Sequence, residues 1–196
     1  MKVLGISGSP RKNGNTDIFL KEIFTGAREC VTETECIYLR DYVITPCVGC
    51  EKCRKDLTCS QFHDGMTLLY VKVEEADVLV LGSPVYNYNI TAQMKSFIDR
   101  LYPYYLFSND RPRKYHSRLS DKKRFCLVFS ICEQTDPKEM GFAIEAMARP
   151  FEALGYEILE KMPVSGFFDK GAIRNDASVM QTAYALGQKI AVISYG

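Results

Sequence analysis

Lys2-Val3-Leu4-Gly5-Ile6-Ser7-Gly8-Ser9-Pro10-Arg11-Lys12-Asn13-Gly14-Asn15-Thr16 opens the chain. Lys2 to Ser7 reads as a buried strand, and an amphipathic run from Thr16 to Cys30 reads as the helix it feeds. The residues between are small, polar and aimed at a helix N-terminus, where free backbone N–H groups and the dipole favour an anion. Neither a G-x-G-x-x-G fingerprint nor a G-x-x-x-x-G-K-[ST] loop is present. Ser7, Ser9, Asn15 and Thr16 can each donate a hydrogen bond to a phosphate, and Arg11 adds a positive charge. The plain alternative is a polar turn capped by Asn15, with Lys12 and Asn13 facing solvent.

The same alternation continues outward from this unit. Glu35 to Leu39, Asp77 to Ser83, Arg124 to Ile131 and Tyr156 to Val164 read as further strands. Met66 to Glu75, Thr91 to Tyr102, Pro137 to Leu154 and Asn175 to Ile193 read as helices, with Gly155 placed to cap the fourth helix of the chain. Strands interleaved with helices predict an α/β fold, a doubly wound parallel sheet in the order 2-1-3-4-5. The 196 residues suit a single domain, 1–196. Two connections, about 41–65 and about 103–121, are too long for simple turns and invite a functional reading. Such sheets bind ligands at the carboxyl ends of their strands, so the segments after Ser7, Ser83 and Ile131 matter most.

A formal net charge of +1 speaks against nucleic acid as a partner. No run approaches the roughly 18 apolar residues of a membrane span, and the N-terminus runs straight into a strand, which points to the cytoplasm.

After the third strand, residues 82–100 read G-S-P-V-Y-N-Y-N-I-T-A-Q-M-K-S-F-I-D-R, with Thr91 or Asn89 able to cap the helix that follows. Tyr86 and its neighbours can lie against a planar ring, while the N–H groups of Tyr86 and Asn87 face its polar edge. With G-S-P-R-x-x-G-N-T before it, this loop resembles the flavodoxin-like NADPH-dependent FMN reductase superfamily, closely over residues 1–102 and generically beyond. The resemblance implies a flavodoxin-like fold, FMN as cofactor and oxidoreductase activity. It makes Ser9, Arg11, Asn15 and Thr16 phosphate contacts, beside Ser7 from the loop's own chemistry, and Pro84, Val85, Tyr86 and Asn87 ring contacts. The loop after the fourth strand, Ser130 to Asp136, lacks the glycines common in that superfamily, so a third contact, at Cys132, is a weaker expectation.

Cys47, Cys50, Cys53 and Cys59 form C-x2-C-x2-C-x5-C, with Lys52, Arg54 and Lys55 interleaved. Three readings compete for them: an iron–sulfur cluster, structural zinc, and free or exchanging thiols. The pattern resembles the iron–sulfur flavoprotein branch of the same superfamily, which implies a [4Fe–4S] cluster on these four residues. His63-Asp64-Gly65-Met66 stands where that branch often has Asp-Asp-Met. Cys30, Cys36 and Cys126 read as packed apolar residues, and packing also ranks first for Cys132.

Residues 103–124 combine aromatics with a basic stretch that reads mainly as a solvated face or an oligomer contact. Arg111, Arg113 and Lys114 could instead attract the 2′-phosphate of NADPH or an acidic carrier. No general base is assigned, because a flavin carries the chemistry. The leading reading is therefore an FMN oxidoreductase, with NAD(P)H or a ferredoxin-like donor, that moves electrons between FMN and a [4Fe–4S] cluster. Its alternatives are an electron carrier with no substrate of its own, a cluster-free flavin reductase, and a zinc-stabilised module. Resemblance also implies a homodimer or homotetramer.

Overall fold

The computed structural model describes residues 1–28 and 33–193. Chain order is β1 (Lys2–Ser7), α1 (Asn15–Ala27), β2 (Glu33–Tyr38), α2 (Cys53–Asp56), α3 (Gly65–Glu75), β3 (Val78–Pro84) and α4 (Ala92–Asp99). It continues through β4 (Tyr105–Phe107), β5 (Tyr115–Ser117), β6 (Arg124–Cys132), α5 (Ala143–Ala153), β7 (Tyr156–Ser165) and α6 (Ala177–Ile193). Five strands form one parallel sheet in the order β2-β1-β3-β6-β7. Counted within the sheet, that is the expected 2-1-3-4-5.

Alternation along the central strands explains why their sequences are apolar almost without interruption. Leu4, Leu79, Leu81, Cys126 and Val128 face one core with α3, α4 and α5. Val3, Val78, Val80, Leu127 and Phe129 face the other with α1 and α6. Successive side chains of a strand point to opposite faces, so a sheet covered on both sides needs apolar residues at every position.

Local chemistry sets the helix ends. The Asp64 carboxylate accepts from Met66 N at 3.0 Å to open α3, and Thr91 Oγ1 accepts from Met94 N at 3.3 Å to open α4. Gly155 closes α5 with φ +86°, as its sequence position predicts. Four expected helices come out shorter, α6 by two residues at its start, where Ala172–Asn175 form a 3₁₀ turn. Residues 137–154 divide into a 3₁₀ turn (Pro137–Met140) and α5, because Gly141 at φ +56° cannot continue a right-handed helix. α4 stops at Asp99, with a 3₁₀ turn at Tyr102–Tyr104 after it. α1 ends at Ala27, and the expectation for Cys30 lies outside the described residues. The second long connection holds regular structure of its own, an antiparallel hairpin of β4 and β5. Among the described residues, no helix is long and apolar enough to cross a membrane.

Helices α1 and α6 cross at near backbone contact. A Cβ on Gly187 would sit 2.0 Å from Ile23 O and 2.7 Å from Ala27 N. Gly187→Ala is therefore expected to force the helices apart and to cost about 1–3 kcal/mol. Urea denaturation followed by circular dichroism checks this, and unchanged stability would contradict the close crossing.

Candidate functional site

Loops after β1, β3, β6 and β7 enclose a cavity of about 410 Å³ at the carboxyl end of the sheet. Ser9, Arg11, Gly14, Asn15 and Thr16 line one part of it, beside the N-terminus of α1. Ser7 is not among the lining residues. It is fully buried, donating from Oγ to Asp17 Oδ1 at 2.7 Å and accepting from Ser9 N at 3.3 Å, so it shapes the loop from behind. Asn15 lines the cavity but does not cap the helix; Gly14 is the N-cap. The Asn15 amide binds the loop after β7, donating to Asp169 O at 3.0 Å and accepting from Ile173 N at 3.3 Å. Arg11 is likewise drawn to that loop, donating to Phe168 O at 2.9 Å with its guanidinium 5.0 Å from the Phe168 ring centroid.

An ion pair holds this loop in shape. Asp17, wholly buried in the first turn of α1, accepts from Asn13 N at 2.8 Å and pairs with Arg40 Nη2 at 2.8 Å. Arg40 Nη1 also donates to Ser9 O at 3.1 Å. The arginine neutralises a carboxylate that would otherwise repel an anion at this helix end.

Pro84, Val85, Tyr86, Asn87, Tyr88, Ile131, Cys132 and Phe167 line the rest of the cavity. Tyr86 and Asn89 exchange backbone hydrogen bonds of 2.7 and 3.0 Å around Asn87 and Tyr88, both at positive φ, +46° and +61°. That is a tight two-residue turn. It also spends the Tyr86 N–H, which therefore does not face a ligand as expected; the N–H of Asn87 lies within the turn. Thr91 is the helix cap, while Asn89 Oδ1 accepts from Ile90 N at 2.9 Å. No glycine after β6 lines the cavity among the described residues, but one further along the chain packs against this turn. Gly141 lies so close to Tyr88 that a Cβ there would fall 2.1 Å from Tyr88 O, and Phe142 N donates to the same oxygen at 2.8 Å.

The four clustered cysteines line a second cavity, of about 190 Å³, with Phe62, Tyr70, Arg100 and Tyr102 in its wall. Among the described residues, no three His, Cys, Asp or Glu side chains converge on one metal ion. Burial, then the charges of Cys59, Cys47 and Cys50, push the Cys53 thiol up to about 11. An anionic thiolate set there requires a cationic group among the sulfurs. The loop is tied down by Asp64, which accepts from Thr45 N at 2.8 Å and from Arg100 at 2.8 and 3.2 Å. Burial opposes ionisation of this carboxyl, but the bonds from Arg100, Thr45 and Met66 outweigh it and hold it below the usual range.

The basic hairpin serves this second cavity. Arg113 pairs with Glu51 at 3.4 Å, Arg118 Nη1 donates to Leu57 O, and Arg54 lies 5.6 Å from the Phe107 ring centroid. Arg113 is therefore committed to the cysteine loop, which differs from a freely solvated face. All five non-glycine residues at positive φ among those described, Asn13, Glu51, Leu57, Asn87 and Tyr88, fall in the loops of these two cavities. Backbone strain of this kind, of order 1–3 kcal/mol per residue, concentrates at functional sites.

The sequence profile of the family described as NADPH-dependent FMN reductase matches residues 1–128. The chain belongs to this family. An iron–sulfur flavoprotein of Archaeoglobus fulgidus is 34% identical over 90% of this chain and 83% of its own length. Another, from Methanocaldococcus jannaschii, is 44% identical over 53% of each chain, so that match spans about half the relative's length. A flavodoxin from the domain Archaea superposes over all of both chains with a TM-score of 0.61 at 15% identity, which is likeness of fold.

For this family member, sequence reasoning missed Asp17, Arg40, Gly141 and the loop after β7 with Phe167, Phe168 and Lys170. Asp17 carried a local signal, an acid in the first turn of a helix; the others are distant in sequence from what they touch. Asp64 supplies a pH test. Its carboxyl is depressed in the folded chain, so its contribution is complete above the unfolded value of about 3.9 and is lost as pH falls through the lower folded value. Asp64→Asn is expected to cost about 3–5 kcal/mol at pH 7, where it leaves Arg100 buried without its partner. The variant's stability should then fall less steeply than wild type below about pH 4. Denaturant titrations between pH 3 and pH 7 check both points.

Proposed function

We propose that this chain is an FMN oxidoreductase whose four cysteines hold a [4Fe–4S] cluster, and that it moves electrons between the two centres. The observation that carries the flavin is that nine of the ten residues chosen from sequence, all but Ser7, line one cavity. Its volume of about 410 Å³ suits a ligand of cofactor size. In this reading Ser9, Thr16 and the N–H groups opening α1 bind the phosphate, Arg11 adds charge, and Asn15 holds the loop in place. Pro84 to Tyr88, with Ile131 and Cys132, flank the ring. Bound FMN supplies acceptance of a hydride or of single electrons; the protein orients it and excludes water from one face. That all four cysteines line one cavity supports the cluster. The names of the relatives agree with a two-centre protein.

Tyr86, Tyr88, Phe142 and Phe168 are 47–72% exposed around the first cavity. A second copy of the chain covering this aromatic rim, in a homodimer or homotetramer, accounts for their exposure.

Anaerobically purified protein is expected to carry FMN together with about four irons and matching sulfide per chain. Colourless protein containing zinc would overturn the reading, whereas flavin without iron would remove the cluster alone. Cys50→Ala should lose iron and keep flavin. Arg11→Ala should weaken FMN binding to apoprotein about 10- to 100-fold, the loss of one charge-assisted hydrogen bond. Stopped-flow reduction with NADPH, NADH or reduced ferredoxin then identifies the donor.

A further inference from the structure

Arg100 follows α4 directly and is among the most deeply buried side chains of the protein, 1% exposed. A guanidinium carries five N–H donors in one plane. Nη1 gives one to Thr45 O at 2.7 Å and another to Asp64 Oδ2 at 2.8 Å, and Nη2 gives one to Asp64 Oδ1 at 3.2 Å. The end of the fork is thus occupied, and the edge made of Nε–H and the second Nη2 hydrogen remains. Nε is shielded from solvent and has no hydrogen-bond partner, as is also true of Arg40, Arg54, Arg113 and Arg124, but of these five arginines only Arg100 lines the cysteine cavity. Arg100 lines the cysteine cavity, and Phe62, which lines it too, has its ring centroid 5.2 Å from the guanidinium carbon. Buried donors are almost always paired in folded proteins, and one on a charged group is especially costly to leave unpaired.

We infer that Arg100 presents its free guanidinium edge to the group held by Cys47, Cys50, Cys53 and Cys59, donating a hydrogen bond to one of its sulfurs and setting its reduction potential. The inference rests on the cluster reading above. A cluster held by four thiolates is anionic, and each electron it accepts makes it more so. A buried donor with positive charge favours the more negative state, so Arg100 raises the potential. Asp64 and Thr45 occupy the other three donor positions of the guanidinium, which leaves this edge for the cavity.

The test is spectroelectrochemical titration of the cluster in wild type, Arg100→Lys and Asp64→Asn, with iron and flavin counted in each. Arg100→Lys keeps the charge but loses the planar edge, and its potential should fall by about 59 mV, tenfold in a one-electron equilibrium. Asp64→Asn keeps the guanidinium edge and removes the negative charge beside it, so its potential should hold or rise rather than fall. Equal shifts in both variants, or none in Arg100→Lys, would overturn the inference. Loss of iron from Arg100→Lys alone, with flavin retained, would support it as a requirement for holding the cluster. Wild type without iron would sink the cluster reading, and this inference with it. Should neither variant fold, wild-type protein labelled with ¹⁵N-arginine decides the matter: pulsed EPR of the reduced cluster should detect nitrogen coupling, and its absence would be fatal.

Discussion

The ion pair between Asp64 and Arg100 joins parts of the chain that sequence keeps far apart. One carboxylate caps α3, holds Thr45 and receives two bonds from an arginine directly after α4. The cysteine loop leaves and re-enters the fold between those anchors, at residues 45 and 64. Buried pairs add little net stability but are expensive to break, because removing one partner strands a charge. What this pair supplies is position: the loop has one seat, and the cavity lined by its four thiols takes its shape from that seat.

Helix α4 extends the constraint to the other cavity. At its start, Thr91 caps the helix while its hydroxyl donates to Gly8 O at 2.7 Å, and its own N–H donates to Ser83 Oγ at 3.1 Å. At its end, Arg100 holds the cysteine loop. The eight residues of α4 separate the two anchors by roughly 13 Å. One short rigid element therefore fixes the loop that runs into α1 and the loop that carries the cysteines in a set relation. The two cavities belong to one framework rather than to independent insertions.

Strain is distributed accordingly. The residues held at positive φ lie in the loop before α1, in the turn after β3 and in the cysteine loop, each pinned by neighbours. Asn87 and Tyr88 are held by the Tyr86–Asn89 exchange and by the approach of Gly141; Asn13 is held by Asp17. A packed sheet with cores on both faces supplies the stability that such conformations draw on.

Local pattern was enough for much of this. Apolar runs on Val3 to Ile6 and Val78 to Leu81, alternating with amphipathic segments, determined the parallel sheet, because burial on two faces leaves a direct mark on sequence. Its order followed from the handedness of crossovers and from what is commonest at this size. The small polar residues after β1 and the Ser-Pro-Val-Tyr turn after β3 marked the first cavity, and the spacing of Cys47 to Cys59 marked the second. Tertiary structure alone decided that Ser7 turns inward, that Asn15 and Arg11 reach the loop after β7, that the Tyr86 N–H is spent within its own turn, and that Arg113 belongs to the cysteine loop. Each of these depends on which distant group lies within about 3 Å to complete a hydrogen bond. Secondary-structure preference is local and can be read from neighbours in sequence. The partner of a polar side chain is chosen by packing, and packing exists only once the chain has folded.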